Sequence, residues 1–131
     1  MTTKESKLTY ERNNITLSGG PYDIQINSST LDIDDGNTLL GDVSYYVESI
    51  VLYSNGSSTQ SGAKRRLASY SLTGGVLNLE VQSAQENYIA DSSSINISHT
   101  TSGTDIVIRL ESGSNSLNQN CRVFVNIKAY S

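Results

Sequence analysis

The one histidine of the chain, His99, lies in the run Ile97-Ser98-His99-Thr100-Thr101. An imidazole beside a hydroxyl is the pair that activates a serine nucleophile. Ser and Thr are so abundant here that every residue has hydroxyl neighbours, so the pairing carries no information. The run reads as a turn, and no catalytic residue is assigned. Asp32, Asp34 and Asp35 are the next group able to do chemistry. Two carboxylates facing across a cleft hydrolyse glycosides, but these three crowd into one turn. The stretch Asp32-Ile33-Asp34-Asp35-Gly36-Asn37 is similar to an acidic calcium loop. Such a loop closes with a Glu at about its twelfth position, and the residue there is Val43. A hairpin turn is the reading, and no metal site is assigned.

The single Cys121 has no partner for an internal disulfide. It opens the alternating run Cys121-Arg122-Val123-Phe124-Val125 and reads as a small buried hydrophobe. Intermolecular pairing and metal binding are the other uses of such a thiol. Lys64-Arg65-Arg66 is the one basic cluster, in a chain of net charge −4. A duplex-binding surface needs more clustered Lys and Arg than this. The cluster reads as a solvated strand end, and no nucleic-acid partner is expected. No Gly-rich loop precedes a helix, so there is no nucleotide fingerprint and no cofactor is assigned. The four sequons at Asn14, Asn27, Asn55 and Asn96 are silent without secretion.

The elements that would position these residues are strands. The length of 131 residues suits one domain. Residues 1–7 read as a flexible polar arm and residues 8–131 as the domain. The arm holds no hydrophobic stretch of a secretory signal. No run of about 20 apolar residues suits a membrane span. The expectation is a protein folded in a reducing cytoplasm.

Period-two alternation then recurs between turn clusters. Leu8–Leu17 reads as two short pieces split by Glu11-Arg12-Asn13-Asn14. Tyr22, Ile24 and Ile26 share a face, and Thr30–Ile33 is a short strand. Val43–Tyr53 carries bulky residues on both faces, which suggests a central strand covered on both sides for part of its length. Arg66, Ala68, Tyr70 and Leu72 share a face of the next strand. Thr73-Gly74-Gly75 turns the chain into Val76–Val81, where Leu77, Leu79 and Val81 point inward. Ile95 and Ile97 alternate with polar residues, as do Ile106, Ile108 and Leu110. The last strand runs from Cys121 to Tyr130. No window shows helical periodicity. About eight short strands with frequent turns predict an all-β fold, a single antiparallel β-sandwich of jelly-roll type.

Tyr45, Tyr46, Phe124 and Tyr130 offer apolar surface beyond the needs of one core. Two readings stand: a loop covers them, or they form a subunit interface.

The order of pieces carries a resemblance. A short strand pair leads to Asp34-Asp35-Gly36-Asn37 and the long strand Tyr45–Tyr53. Gly62-Ala63-Lys64-Arg65-Arg66-Leu67-Ala68-Ser69-Tyr70 follows, then Gly74-Gly75-Val76-Leu77-Asn78-Leu79. The turn Ala90-Asp91-Ser92 precedes Ile106-Val107-Ile108-Arg109-Leu110, and Cys121–Ile127 closes the chain. Over about residues 8–130 this resembles the β-sandwich module of tailed-bacteriophage virion appendages, of the head-fibre, decoration or tail-fibre-tip type. The chain departs from such modules in lacking a Trp near Arg122 and Phe124, and it shows no repetitive stalk. The resemblance implies a non-enzymatic virion structural protein assembled in the host cytoplasm and docked on other virion proteins. It implies a homotrimer serving as a capsid decoration, head-fibre component or short tail appendage. Tyr45, Tyr46, Phe124 and Tyr130 would then form the interface. The alternative is a carbohydrate-binding module at a fibre tip that recognises a host surface glycan. Its candidate platforms are Tyr22, Tyr53 and Tyr88, and the absence of Trp weakens it.

Overall fold

The computed structural model describes residues 5–17, 21–28, 43–54, 61–87, 95–112 and 119–130. Among them run nine strands: β1 (Glu5–Leu17), β2 (Tyr22–Asn27), β3 (Val43–Ser54), β4 (Ser61–Thr73), β5 (Val76–Gln82), β6 (Glu86–Asn87), β7 (Ile95–Ser102), β8 (Asp105–Ser112) and β9 (Gln119–Tyr130). They form two antiparallel sheets, one of six strands in the order β1-β9-β3-β4-β5 with β6 also on β4, and one of three in the order β2-β8-β7. The chain is an all-β sandwich, as its alternation predicts. β1 pairs with β9 and β2 with β8. This nesting of first with last is the wrap on which jelly rolls are built. The middle strands close as local hairpins instead, β3 on β4, β4 on β5 and β7 on β8. The β4–β5 hairpin turns at Gly74 (φ 59°) and Gly75 (φ 79°). Positive φ at both central residues is the demand of a tight hairpin turn, and glycine meets it without steric cost.

β1 begins at Glu5, so residues 5–7 pair with Tyr130, Ala129 and Lys128 rather than belonging to a free arm. It is one strand, not two. Leu8 and Tyr10 face the core from even positions, Ile15 and Leu17 from odd ones. A bulge between Arg12 and Ile15 absorbs the change of phase. Asn14 sits there at φ 58°, a left-handed conformation that Asn tolerates better than most residues. A second irregularity lies in β5, where Ser69 pairs with Val81 and Tyr70 with Leu79. Glu80 is the extra residue. A one-residue insertion exchanges the faces of everything beyond it. Val81, expected inward, therefore points outward and is 64% exposed. Gln82 turns inward in its place.

The core lies between the sheets. Val47 and Val51 of β3, Ile106, Ile108 and Leu110 of β8, and Val123, Val125 and Ile127 of β9 are all at or below 2% exposure. Cys121 joins them, and burial pushes its thiol up to about 12. β3 is central in its sheet, between β9 and β4. Only its inner face is covered. Tyr45 and Tyr53 are buried, whereas Tyr46 is 54% and Leu52 40% exposed. Its double-sided pattern marks a bare apolar face, not two layers of cover. No helix among the described residues is long and apolar enough to cross a membrane.

Candidate functional site

The outer face of the six-stranded sheet is the most unusual surface of the molecule. Tyr46, Leu52, Leu67, Val76 and Val81 are the exposed large hydrophobics among the described residues. The register places all five there. Tyr46 is opposite Lys128 and Ser69, Leu52 opposite Arg122, Leu67 opposite Glu48, Val76 opposite Thr73 and Val81 opposite Ser69. The half-buried Ile50, Phe124 and Tyr130 share the face. Tyr46 and Tyr130 meet edge to face, centroids 5.5 Å apart at 75°, the geometry ring quadrupoles favour. The Arg122 guanidinium lies 5.0 Å from the Phe124 centroid. Scattered exposed hydrophobics need no explanation, but their gathering on one face makes it the candidate contact surface.

A polar row crosses this face from strand to strand. Thr9 Oγ1 donates to Asn126 Oδ1 (3.1 Å), and Asn126 Nδ2 donates to Glu48 Oε1 (3.0 Å). Arg65 Nε donates to Glu48 Oε2 (2.7 Å) and its Nη1 to Glu86 Oε2 (3.2 Å). Burial alone would raise the Glu48 carboxyl. Hydrogen bonds from Asn126 and Arg65 outweigh it and hold the group below the usual carboxylate range. The row ties β1, β9, β3, β4 and β6 together and stiffens the face.

A second polar constellation is buried between the sheets. His99 is in the middle of β7, not in a turn, and is 3% exposed. Gln82 Oε1 accepts the His99 backbone N–H (2.7 Å) and lies 2.9 Å from His99 Nδ1. A backbone N–H only donates, so the facing atom is the amide oxygen. Nδ1 must then carry the ring proton, and Nε2 accepts from Ser49 Oγ at 2.8 Å. Burial, aided by nearby Arg66, lowers the imidazole to about 4 and keeps it neutral. The order hydroxyl, imidazole, orienting acceptor is that of a nucleophile relay. Ser49, however, has 0% exposure. A reacting atom must come within about 3.5 Å of its nucleophile, and packed side chains fill that space. The relay is a structural tie.

The same seam satisfies the free edge of β7, the outermost strand of the three-stranded sheet. Ile95 O accepts from Lys64 Nζ (2.9 Å) and Gln85 Nε2 (3.1 Å). Ile97 N donates to Gln85 Oε1 (2.7 Å), and Ile97 O accepts from Arg66 Nη1 (2.7 Å). Side chains of the large sheet thus occupy the positions of a neighbouring strand. The basic cluster is divided by the strand's alternation: Lys64 and Arg66 turn into the seam, and Arg65 faces out. It is not a solvated strand end.

Of the four interface candidates, the structure sets Tyr46, Phe124 and Tyr130 on the outer face and brings Tyr46 and Tyr130 into contact. It places Tyr45 in the core at 2% exposure, because β3 alternates and its neighbour Tyr46 takes the outer position. Of the glycan candidates, Tyr53 is 4% exposed and has Lys64 Nζ 5.9 Å from its ring centroid. It offers no platform. Tyr22 is half-buried against the core, and Tyr88 lies outside the described residues. The acidic stretch Asp32–Asn37 does as well. Among the described residues no group of three or more His, Cys, Asp or Glu side chains could hold a metal ion. Leu67, Val76 and Val81 escaped the sequence reading, and for Val81 the hidden cause is the β5 bulge.

The geometry defines a β-sandwich with one bare, amphipathic sheet face. Its fold is similar to part of the tailspike protein gp49 from Acinetobacter baumannii bacteriophage Fri1, a capsular polysaccharide depolymerase. That likeness has a TM-score of 0.51 at 11% identity and covers 98% of this chain and 18% of that one. The tailspike of Acinetobacter phage vB_ApiP_P1 aligns with a TM-score of 0.49 at 8% identity, over 91% of this chain and 20% of that one. The tailspike of Acinetobacter baumannii phage AM24 aligns at 0.43 and 11%, over 98% and 26%. The chain therefore spans about a fifth to a quarter of these proteins, and the likeness is one of fold. No protein-family model matches the chain, and no curated protein matches it.

Proposed function

We propose that this chain is a non-enzymatic structural module of a bacteriophage virion appendage, acting by association through the outer face of its six-stranded sheet. The carrying observation is that the five exposed large hydrophobics among the described residues all lie on that face. The order of strands along the chain supports the virion setting, as does the fold likeness to part of the Fri1 tailspike. By the same resemblance the assembly is a homotrimer, placed as a capsid decoration, head-fibre component or short tail appendage and docked on other virion proteins. The sealed Ser49–His99 relay supports a role without catalysis. Solution mass by light scattering over a concentration series tests the reading. Wild type should assemble as its concentration rises, and Val81→Glu should stay a monomer. A wild type that stays monomeric at millimolar concentration refutes it. Incubation with capsular polysaccharide should release no new reducing ends.

A carbohydrate-recognition role is the competing reading. It draws on the activity named for the Fri1 tailspike and, among the described candidates, on Tyr22. A polysaccharide titration whose signal disappears in Tyr22→Ala would favour it.

A further inference from the structure

The margin of the sandwich at β1 and β2 carries a positive charge that the core does not need. In the β1–β9 register Arg12 is opposite Val123, as Tyr10 is opposite Val125, and both valines are buried. Directly opposed residues share a face. Arg12 therefore follows Leu8 and Tyr10 along the inner side of β1, at the last position before the bulge. Tyr22 holds the matching place on β2, opposite the buried Leu110. β1 and β2 each bound their sheet. Tyr10 and Tyr22 are half-buried against the core, and Arg12 is exposed.

Arg12 is held by its neighbours. Its Nε donates to the Tyr10 hydroxyl (2.5 Å), and its Cζ is 5.2 Å from the Tyr10 ring centroid. The bond with Tyr10 raises the Arg12 pKa, and the Tyr22 hydroxyl is near enough to raise it further. The acids next to this group in sequence, Glu11 and Asp23, lie on the opposite faces of their strands. Arg122 takes the first (2.8 Å) and Arg109 the second (2.8 Å). Arg65 lies between Glu48 and Glu86, and Arg66 turns into the seam. Among the described residues Arg12 is thus the one exposed arginine with no carboxylate on it. With Nε engaged, Nη1 and Nη2 remain as a planar fork, the shape that takes a carboxylate through two bonds.

We infer that this margin binds a carboxylate-bearing sugar, a uronate unit of an acidic saccharide, with the Arg12 fork on the carboxylate and Tyr10 and Tyr22 against the sugar ring. A bare anion would need the fork alone. The two phenols beside it add flat apolar surface and hydroxyls that both donate and accept, which match the faces and hydroxyls of a pyranose. The site is on the inner side of β1, whereas association is read from the outer face. The inference stands apart from that reading and gives the carbohydrate reading a ligand class and a cation.

The test is titration of the isotope-labelled chain with galacturonate trimer and with glucuronate, followed by amide NMR shifts. Both should give saturable shifts at millimolar concentration, centred on Arg12 and Tyr22. The methyl ester of the trimer keeps the rings and loses the charge, and should bind at least roughly tenfold more weakly. Arg12→Gln should weaken the trimer by a similar factor, and Arg12→Lys, which keeps the charge without the fork, by several-fold. Added salt should weaken binding. Arg12 is exposed, and thermal melting verifies that its variants fold. Absence of saturable shifts with either probe, equal binding of the methyl ester, or wild-type binding by Arg12→Gln overturns the site. Acetate binding as tightly as glucuronate overturns the sugar class. Val81→Glu, which lies on the other face, should bind as wild type does, and loss of binding there overturns the location. None of these results bears on association, which light scattering reads separately.

Discussion

Mild acid should loosen this sandwich through His99. The imidazole titrates at about 4 in the folded chain and at its ordinary value near 6.5 when unfolded. Its folded pKa is lowered, so between those values the unfolded chain takes up a proton that the folded chain does not. Stability falls as pH drops from about 6.5 and stops falling, for this group, below about 4. A shift of this size corresponds to about 3 kcal/mol in full. Roughly 2 kcal/mol of that is lost between pH 7 and pH 5, a window in which the carboxylates remain mostly ionised. At a urea m-value of about 1.5 kcal/mol/M, the unfolding midpoint should move down by more than about 1 M. The assay is urea unfolding at pH 7, 6 and 5, read by tyrosine fluorescence, since the chain has eight Tyr and no Trp. His99→Gln, which can still bond Ser49 and does not titrate, should flatten the dependence over this window. Equal pH dependence in wild type and variant would refute the reasoning.

Three further outcomes follow from the same geometry. Gln82→Ala leaves the His99 backbone N–H and Nδ1–H without their acceptor. It should cost about 1–3 kcal/mol, with faster hydrogen exchange concentrated at the His99 amide. Asn14→Val forces a β-branched residue to φ 58°. It should destabilise by about 1–2 kcal/mol, while Asn14→Gly stays within a few tenths, both measured by chemical denaturation. Cys121 is 1% exposed with its thiol pushed up to about 12. Its reaction with a thiol reagent should track global unfolding in urea, without an early labelling phase.

The strands of the core were legible wherever alternation runs unbroken. Ile106, Ile108 and Leu110, and Cys121, Val123, Val125, Ile127 and Ala129, read directly as core positions and are buried. Bulges defeat that reasoning, because one inserted residue reverses every later assignment. The β5 bulge moved Val81 out and brought Gln82 in, and with Gln82 went any means of foreseeing the His99 tie. The β1 bulge left a trace that sequence alone could yield. Its apolar positions pass from even numbers, Leu8 and Tyr10, to odd ones, Ile15 and Leu17. His99 read as part of a turn because Ser98, Thr100 and Thr101 surround it. In fact the inward side of β7 accommodates a polar side chain where β3 and β5 supply partners. The outer face was half legible. Adjacent Tyr45 and Tyr46 must point opposite ways, but only the sheet order shows which of them the second sheet covers.

The treatment of the sheet edges bears on what such a module can build. β1 and β5 bound the large sheet with a bulge in each, and β7 ends the small one under a fence of side chains from across the sandwich. Edges of this kind resist the addition of another strand. Growth by sheet extension, the route to open-ended fibrils, is resisted at these three borders, while the apolar outer face is the surface proposed above for contact. With these three of its four sheet borders blunted and association confined to one face, as proposed, the module favours closed assemblies of fixed copy number over open polymers. Such discreteness suits a component that must occupy a defined number of places and then stop.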